Sequence, residues 1–142
     1  MAATFNKFQP FVQNLANGKF NLGSDTLKVM LTNSAPAAAN SVKADITEIA
    51  AGNGYTAGGA TSTQVSSAQV SGTYRLITGN VSWTASGGSI AAFRYPVIYD
   101  DTQTSPADPL IGYYDYGSNL TLNSGDQFTV SLDQTNGLLA LA

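Results

Sequence analysis

The acidic and aromatic residues are where chemistry could reside, because the chain contains no histidine and no cysteine. The commonest metal ligand, the side chain best suited to proton transfer near neutral pH, and all thiolate chemistry are missing. Serine–histidine pairs and zinc sites built from Cys and His are excluded with them. Asp, Glu48, Lys, Ser and Tyr remain. Asp100, Asp101 and Asp108 share one polar loop, DDTQTSPADP, whose oxygen ligands could gather a calcium ion. Their spacing lacks a calcium-loop signature, and an acidic turn accounts for the same residues. Asp100–Asp101 with Asp115 could form a glycosidase-like carboxylate pair, although nothing in the sequence sets them across a cleft. Asp45 and Glu48 suit a capping box better than general acid–base work. Tyr95, Tyr99, Tyr113, Tyr114 and Tyr116 could stack on sugars, but strand aromatics more often serve cores and interfaces. Gly52-Asn53-Gly54 and Gly87-Gly88 lack the Lys-Ser/Thr that completes a phosphate loop, and no Gly-x-Ser-x-Gly elbow occurs. We therefore expect a protein that is not an enzyme, with no catalytic residue, no cofactor and no metal.

The elements that would position these side chains read mostly as strands. Asn80–Asp101 organises the chain: Val81–Ala85 and Ile90–Tyr99 flank Ala85-Ser86-Gly87-Gly88-Ser89 and predict a central hairpin. Leu27–Leu31, Tyr74–Ile77, Leu110–Tyr116, Gln127–Leu132 and Leu138–Leu141 supply further strand patterns. Asn123-Ser124-Gly125-Asp126 and Thr135-Asn136-Gly137 are turns, the latter predicting that the C-terminal tail is paired. About seven strands between Gly/Asn/Ser turns indicate a mainly β fold, a single-domain β-sandwich or barrel-like structure over residues 1–142.

A short N-terminal helix is expected within residues 1–20. Phe5, Phe8, Val12, Leu15 and Ala16 approximate a helical stripe over Thr4–Asn17, with Thr4 as cap and Asn17-Gly18 as stop. Pro10 requires either a kink or a start at Gln9–Pro10. Asp45–Ala51 reads as a second short helix, and Asn33–Asn40 as a loop. Residues 58–72 carry no charge, and Val65 and Val70 are their only large apolar residues. They read as an extended, flexible tract, either a solvated loop or an arm that orders against a neighbour.

A chain of 142 residues fits one domain of about 100–150 residues. Charged residues make up 11%, against about 25% in an average protein, which suits a surface covered by copies of itself or by a partner. The net charge of −3 opposes direct contact with nucleic acid. No run approaches the roughly 18 apolar residues of a membrane span, and the N-terminus lacks a secretory pattern.

The chain resembles a family of small tailed-bacteriophage virion proteins. The stretches that carry the resemblance are Asn21–Asn33, Asp45-Ile46-Thr47-Glu48-Ile49, Gly52–Gly59, Phe93–Asp100 and Leu110–Gly117. The resemblance implies a virion structural role, with capsid decoration (cement) preferred, and supplies no catalytic residues. The expected partners are the major capsid protein and the chain itself, as a homo-oligomer of three copies. The expected location is the outer capsid surface, after synthesis in the bacterial cytoplasm. A tail tube or connector component is the alternative, and a virion-borne carbohydrate-binding module using the tyrosines is a third reading.

Overall fold

In this computed structural model residues 3–142 are described. Along the chain come β1 (Asn6–Lys7), α1 (Gln9–Ala16), β2 (Leu27–Thr32), a 3-10 turn (Lys43–Asp45), β3 (Ala60–Ser62) and β4 (Gln64–Val70). Then follow β5 (Thr73–Thr78), β6 (Val81–Thr84), β7 (Ile90–Phe93), β8 (Tyr95–Asp100), β9 (Leu110–Tyr113), β10 (Leu120–Leu122), β11 (Gln127–Val130) and β12 (Leu139–Leu141). The chain is mainly β, with antiparallel sheets in a sandwich-like arrangement and one short helix near the N-terminus.

One layer is a five-stranded sheet in the order β1-β9-β8-β2-β3. β2 and β8 lie at its middle, with Val29 opposite Ile98 and Met30 opposite Val97. Alternation along β2 sends Leu27, Val29 and Leu31 to the main core, where Ile98 and Ile111 join them. The other face receives Met30, Val97, Tyr99 and Leu110, which close over Phe8 as a smaller core. Every residue of β8 is buried as a result, and its sequence does not alternate. Facing this sheet across the main core are three smaller ladders: β10-β7, β11-β6 and β12-β5-β4. They contribute Leu76, Trp83, Ile90, Phe93, Leu122 and Val130. Phe128 joins the two short ladders, with its ring 6.3 Å from Trp83 and 4.9 Å from Phe93.

The predicted central hairpin does not form. β6 pairs with β11, β7 pairs with β10, and β8 leaves both for the five-stranded sheet. Positive φ at Gly87 and Gly88 does turn the chain after β6, as its sequence suggests. The Cβ that any other residue would carry at Gly88 meets the Asn53 side chain, so the turn is shaped by a distant loop. Ile90–Tyr99 breaks at Arg94, where the backbone N–H bonds to Thr32 instead.

The helix takes the later of its two expected starts, with Pro10 in its first turn. Phe5 and Phe8 therefore precede it, and Thr4 is not its cap. Phe11 is its buried residue, while Val12 of the expected stripe is 50% exposed. Gly18, at φ +69, donates to the Leu15 carbonyl and ends the helix as expected. The second expected helix, Asp45–Ala51, is absent. Lys43–Asp45 forms a single 3-10 turn, and the Asp45 carboxylate accepts the N–H groups of Ser41 and Val42 from its end, not its start.

Residues 58–72 are extended, as their composition suggested, but are paired within the chain. β3 joins β2, and β4 forms a hairpin with β5 through Ser71-Gly72. Both turn residues have positive φ, +52 and +83, the conformation that suits a two-residue hairpin. The C-terminal tail is paired too, with β12 alongside β5. Among the described residues no helix is long and apolar enough to cross a membrane.

Candidate functional site

The acidic loop that starts at the end of β8 carries three aspartates in different surroundings. Asp100 is fully buried, and its Oδ1 accepts the N–H groups of Thr102 at 2.9 Å and Gln103 at 3.3 Å. Its buried Oδ2 has no hydrogen-bond partner, and the neighbouring Asp25 carboxyl favours the protonated form of Asp100. Asp25 in turn accepts the Asn21 N–H at 2.8 Å and the Gln103 side-chain amide at 2.7 Å. Burial, reinforced by Asp25, pushes the Asp100 carboxyl up to about 7. Burial opposes ionisation of Asp25 as well, but the bonds from Asp100, Asn21 and Gln103 outweigh it and hold that group below the usual range. Asp101 points away to an ion pair with Lys28 at 3.0 Å. Asp108 contributes through its backbone, its carbonyl accepting the Lys43 N–H at 2.9 Å. Among the described residues no three acidic side chains are disposed to hold a metal ion.

Asp115 lies elsewhere. Its carboxylate takes both Nε and Nη2 of Arg94, at 2.7 and 3.0 Å, and this ion pair holds it below the usual carboxylate range. Arg94 precedes β8 and Asp100 ends it, a strand length of about 20 Å. The carboxylates of a glycosidase stand about 5–9.5 Å apart, so Asp100–Asp101 and Asp115 do not form that pair.

Glu48 holds a strap rather than a helix cap. Its Oε1 accepts the Tyr55 hydroxyl at 2.7 Å and the Gly58 N–H at 2.6 Å, while Lys43 approaches Oε2 at 3.5 Å. Tyr55 accepts the Leu31 N–H at 3.0 Å from β2, and Tyr99 donates to the Gly58 carbonyl at 2.6 Å. Burial drives both tyrosines far above the ordinary phenol value, so they stay protonated and donate. Gly54 and Gly59 press their α-carbons against the carbonyls of Thr84 and Val29, where a Cβ would collide. The stretch from Glu48 to Gly59 thus ties the middle of the five-stranded sheet to the strand of Trp83.

The tyrosines divide among three surroundings. Tyr99 is buried in the strap, and Tyr95 packs edge-on to Tyr113 while the Arg94 guanidinium covers its ring at 5.3 Å. Tyr114 and Tyr116 line a cleft of about 280 Å³ with Pro96, Phe128, Thr129 and Ser131. Burial, with Asp133 nearby, raises the Tyr114 hydroxyl above its ordinary value. Tyr116 is 50% exposed and meets Phe128 edge-on at 5.7 Å. Aromatic faces and hydroxyls, with no carboxylate or cation among its lining side chains, equip the cleft for stacking and hydrogen bonding. Phe128 is the wall that sequence reasoning passed over. Its place in an alternating strand beside an aromatic-rich one was the available signal.

Comparison with protein-family models, with curated proteins and with solved structures returns no match.

Proposed function

We propose that the chain is a structural protein of a tailed-phage virion, a decoration subunit that binds the outer capsid face and clamps neighbouring shell subunits. The observation that carries this reading is the use to which the fold puts the stretches of the resemblance. Glu48, Tyr55, Gly54 and Gly59 form the strap, and Arg94 with Asp115 forms an ion pair beside β8. These residues brace a β framework. The low charge, 11% of residues, suits repeated burial against copies and shell, and the net charge of −3 suits a face turned away from DNA. A homotrimer over capsid three-fold positions would touch several shell subunits at once, so that weak contacts add as one attachment. Binding the assembled shell in preference to its free subunits stabilises it by mass action.

The test is binding of the purified protein to undecorated capsids, with the shell's disruption temperature as readout. Decoration with a raised disruption temperature supports the reading. A ring-forming protein that ignores the shell overturns it and moves the assignment to the tail. The Tyr114–Tyr116 cleft favours a second reading, a carbohydrate-binding module. Glycan binding by the isolated protein, lost in Tyr116→Ala, would support that one.

A further inference from the structure

β4 runs for seven residues, Gln64 to Val70, and among the described residues its ladder is with β5 on one side alone. The two-residue turn at Ser71-Gly72 makes Val70 and Thr73 a hydrogen-bonded pair. Alternation then aims the backbone groups of Val70 and Ala68 at β5, and those of Gln69 and Ser67 outward. Edge strands are usually protected by lysine, proline, charge or brevity. β4 has none of these protections, and its one irregularity, a register shift between Gln64 and Ser66, lies at its start and leaves Ser66–Val70 regular. No charged residue or proline stands between Gly58 and Gly72, and Val65 and Val70 are 62% and 71% exposed.

We propose that this edge pairs with the same edge of a second copy of the chain, antiparallel about a two-fold axis through Ser67. The sequence Gln-Val-Ser-Ser-Ala-Gln-Val matches itself in that register. Ser67 meets Ser67, Ser66 meets Ala68, Val65 meets Gln69, and Gln64 meets Val70. Small residues occupy the centre, with Ser66 and Ala68 at the close, non-hydrogen-bonded pairs beside the axis, and each exposed valine gains the stem of a glutamine. The outward N–H of each Ser67 donates across the axis to the C=O of Ser67 in the other copy. Residues beside the two-fold axis lie near their own copies, where like charges would repel, and Ser66, Ser67 and Ala68 carry none. Arg75 of β5 stays three strand spacings from its counterpart, about 14 Å, beyond the screening length of about 8 Å. The two three-stranded ladders merge into one continuous sheet.

A second copy is favoured over a foreign strand because the match is internal to the sequence. The contact is a single strand of about 23 Å, so it is weak in dilute solution and strengthens where copies are held side by side. It would link neighbouring decoration oligomers across a two-fold position, yet its existence does not depend on that role.

The experiment is the solution mass of the full chain from about 1 μM to about 1 mM, the range that a contact of this size spans. The expected result is a doubling of mass across this range, from 14.7 kDa toward twice that value for a single chain, or from a trimer toward a pair of trimers. Ser67→Pro removes an outward donor at a position where an edge strand accepts proline; it takes no backbone bond from β5, but it does remove the Ser67–Tyr74 hydroxyl bond of 2.8 Å. Ala68→Lys brings two ammonium groups together beside the axis. Both variants are expected to raise the dissociation constant at least about tenfold, and Val12→Lys on α1 to leave it unchanged. Should Ser67→Pro fail to fold, Ala68→Lys decides. A mass that never doubles, whether of a monomer or of a trimer, overturns the proposal, as does a doubling that both folded variants leave intact. A trimer of that kind that still coats capsids would spare the decoration reading while sinking this contact.

Discussion

The Tyr55 hydroxyl bridges Glu48 and Leu31, donating to the carboxylate at 2.7 Å and accepting the backbone N–H at 3.0 Å. It is the point where the strap is fastened to the central strand of the five-stranded sheet. Tyr55→Phe keeps the ring against Trp83 but strands a buried N–H and removes a donor from Glu48. Leaving a buried polar group unpaired costs about 1–3 kcal/mol. Urea unfolding monitored at Trp83 should show that loss with an unchanged denaturant slope. No change in midpoint would mean that the strap does not hold the sheet.

Gly59 has φ +80 and no room for a Cβ against the Val29 carbonyl, whereas Gly125 has φ +96 and open space around it. Alanine at either position strains the backbone, but only at Gly59 must β2 also move. We expect Gly125→Ala to cost about 1 kcal/mol and Gly59→Ala about 3 kcal/mol or more. Thermal melts of the two variants side by side check the ordering. Equal losses would assign both effects to φ alone.

The Asp25–Asp100 pair sets a pH dependence with two opposed limbs. Asp100 titrates near 7 when folded against 3.8 as a free side chain, so between these values the folded state holds more protons. Its contribution to stability is therefore greatest at the lower end and declines as pH rises to 7. Asp25, held below 3.8, loses its contribution as pH falls through its folded value. Stability should peak at about pH 4, with a fall on each side. Asp100→Asn supplies a permanent donor to Asp25 and should flatten the limb between pH 4 and 7. A decline that persists unchanged in this variant would show that other groups cause it.

Phe128 touches Trp83, Phe93 and Tyr116, which makes it the shared wall of the core and the cleft. Phe128→Ala should cost about 3 kcal/mol and shift Trp83 emission. Tyr116→Ala, at a half-exposed position, should cost under about 1 kcal/mol and leave that emission in place. A large stability loss in Tyr116→Ala would make the cleft part of the core rather than a surface feature.

Strand identity was legible because it is local. Period-two runs such as Gln127–Val130 and β-rich runs such as Leu27–Thr32 and Leu110–Tyr113 specify extended backbone wherever they land, and Pro10 and Gly18 mark the ends of α1 through their own φ preferences. The absence of histidine and cysteine likewise bounded the chemistry from the sequence alone. The Ser71-Gly72 hairpin was equally local, but the apolar-poor run before it disguised the strand. Partner choice was not local. Val81–Thr84 and Ile90–Phe93, separated by five residues, are joined by a turn that would serve a hairpin, yet each pairs with a strand from the C-terminal third. That outcome depends on burying Trp83 and Phe93 against Phe128, contacts between residues distant in sequence. Glu48 and Asp100 show the same division. Their carboxylates are plain in the sequence, but Tyr55 across the strap and Asp25 across the sheet decide what each does. Backbone conformation follows from each residue's own sterics and neighbours, whereas pairing and protonation follow from which surfaces the packed core brings together.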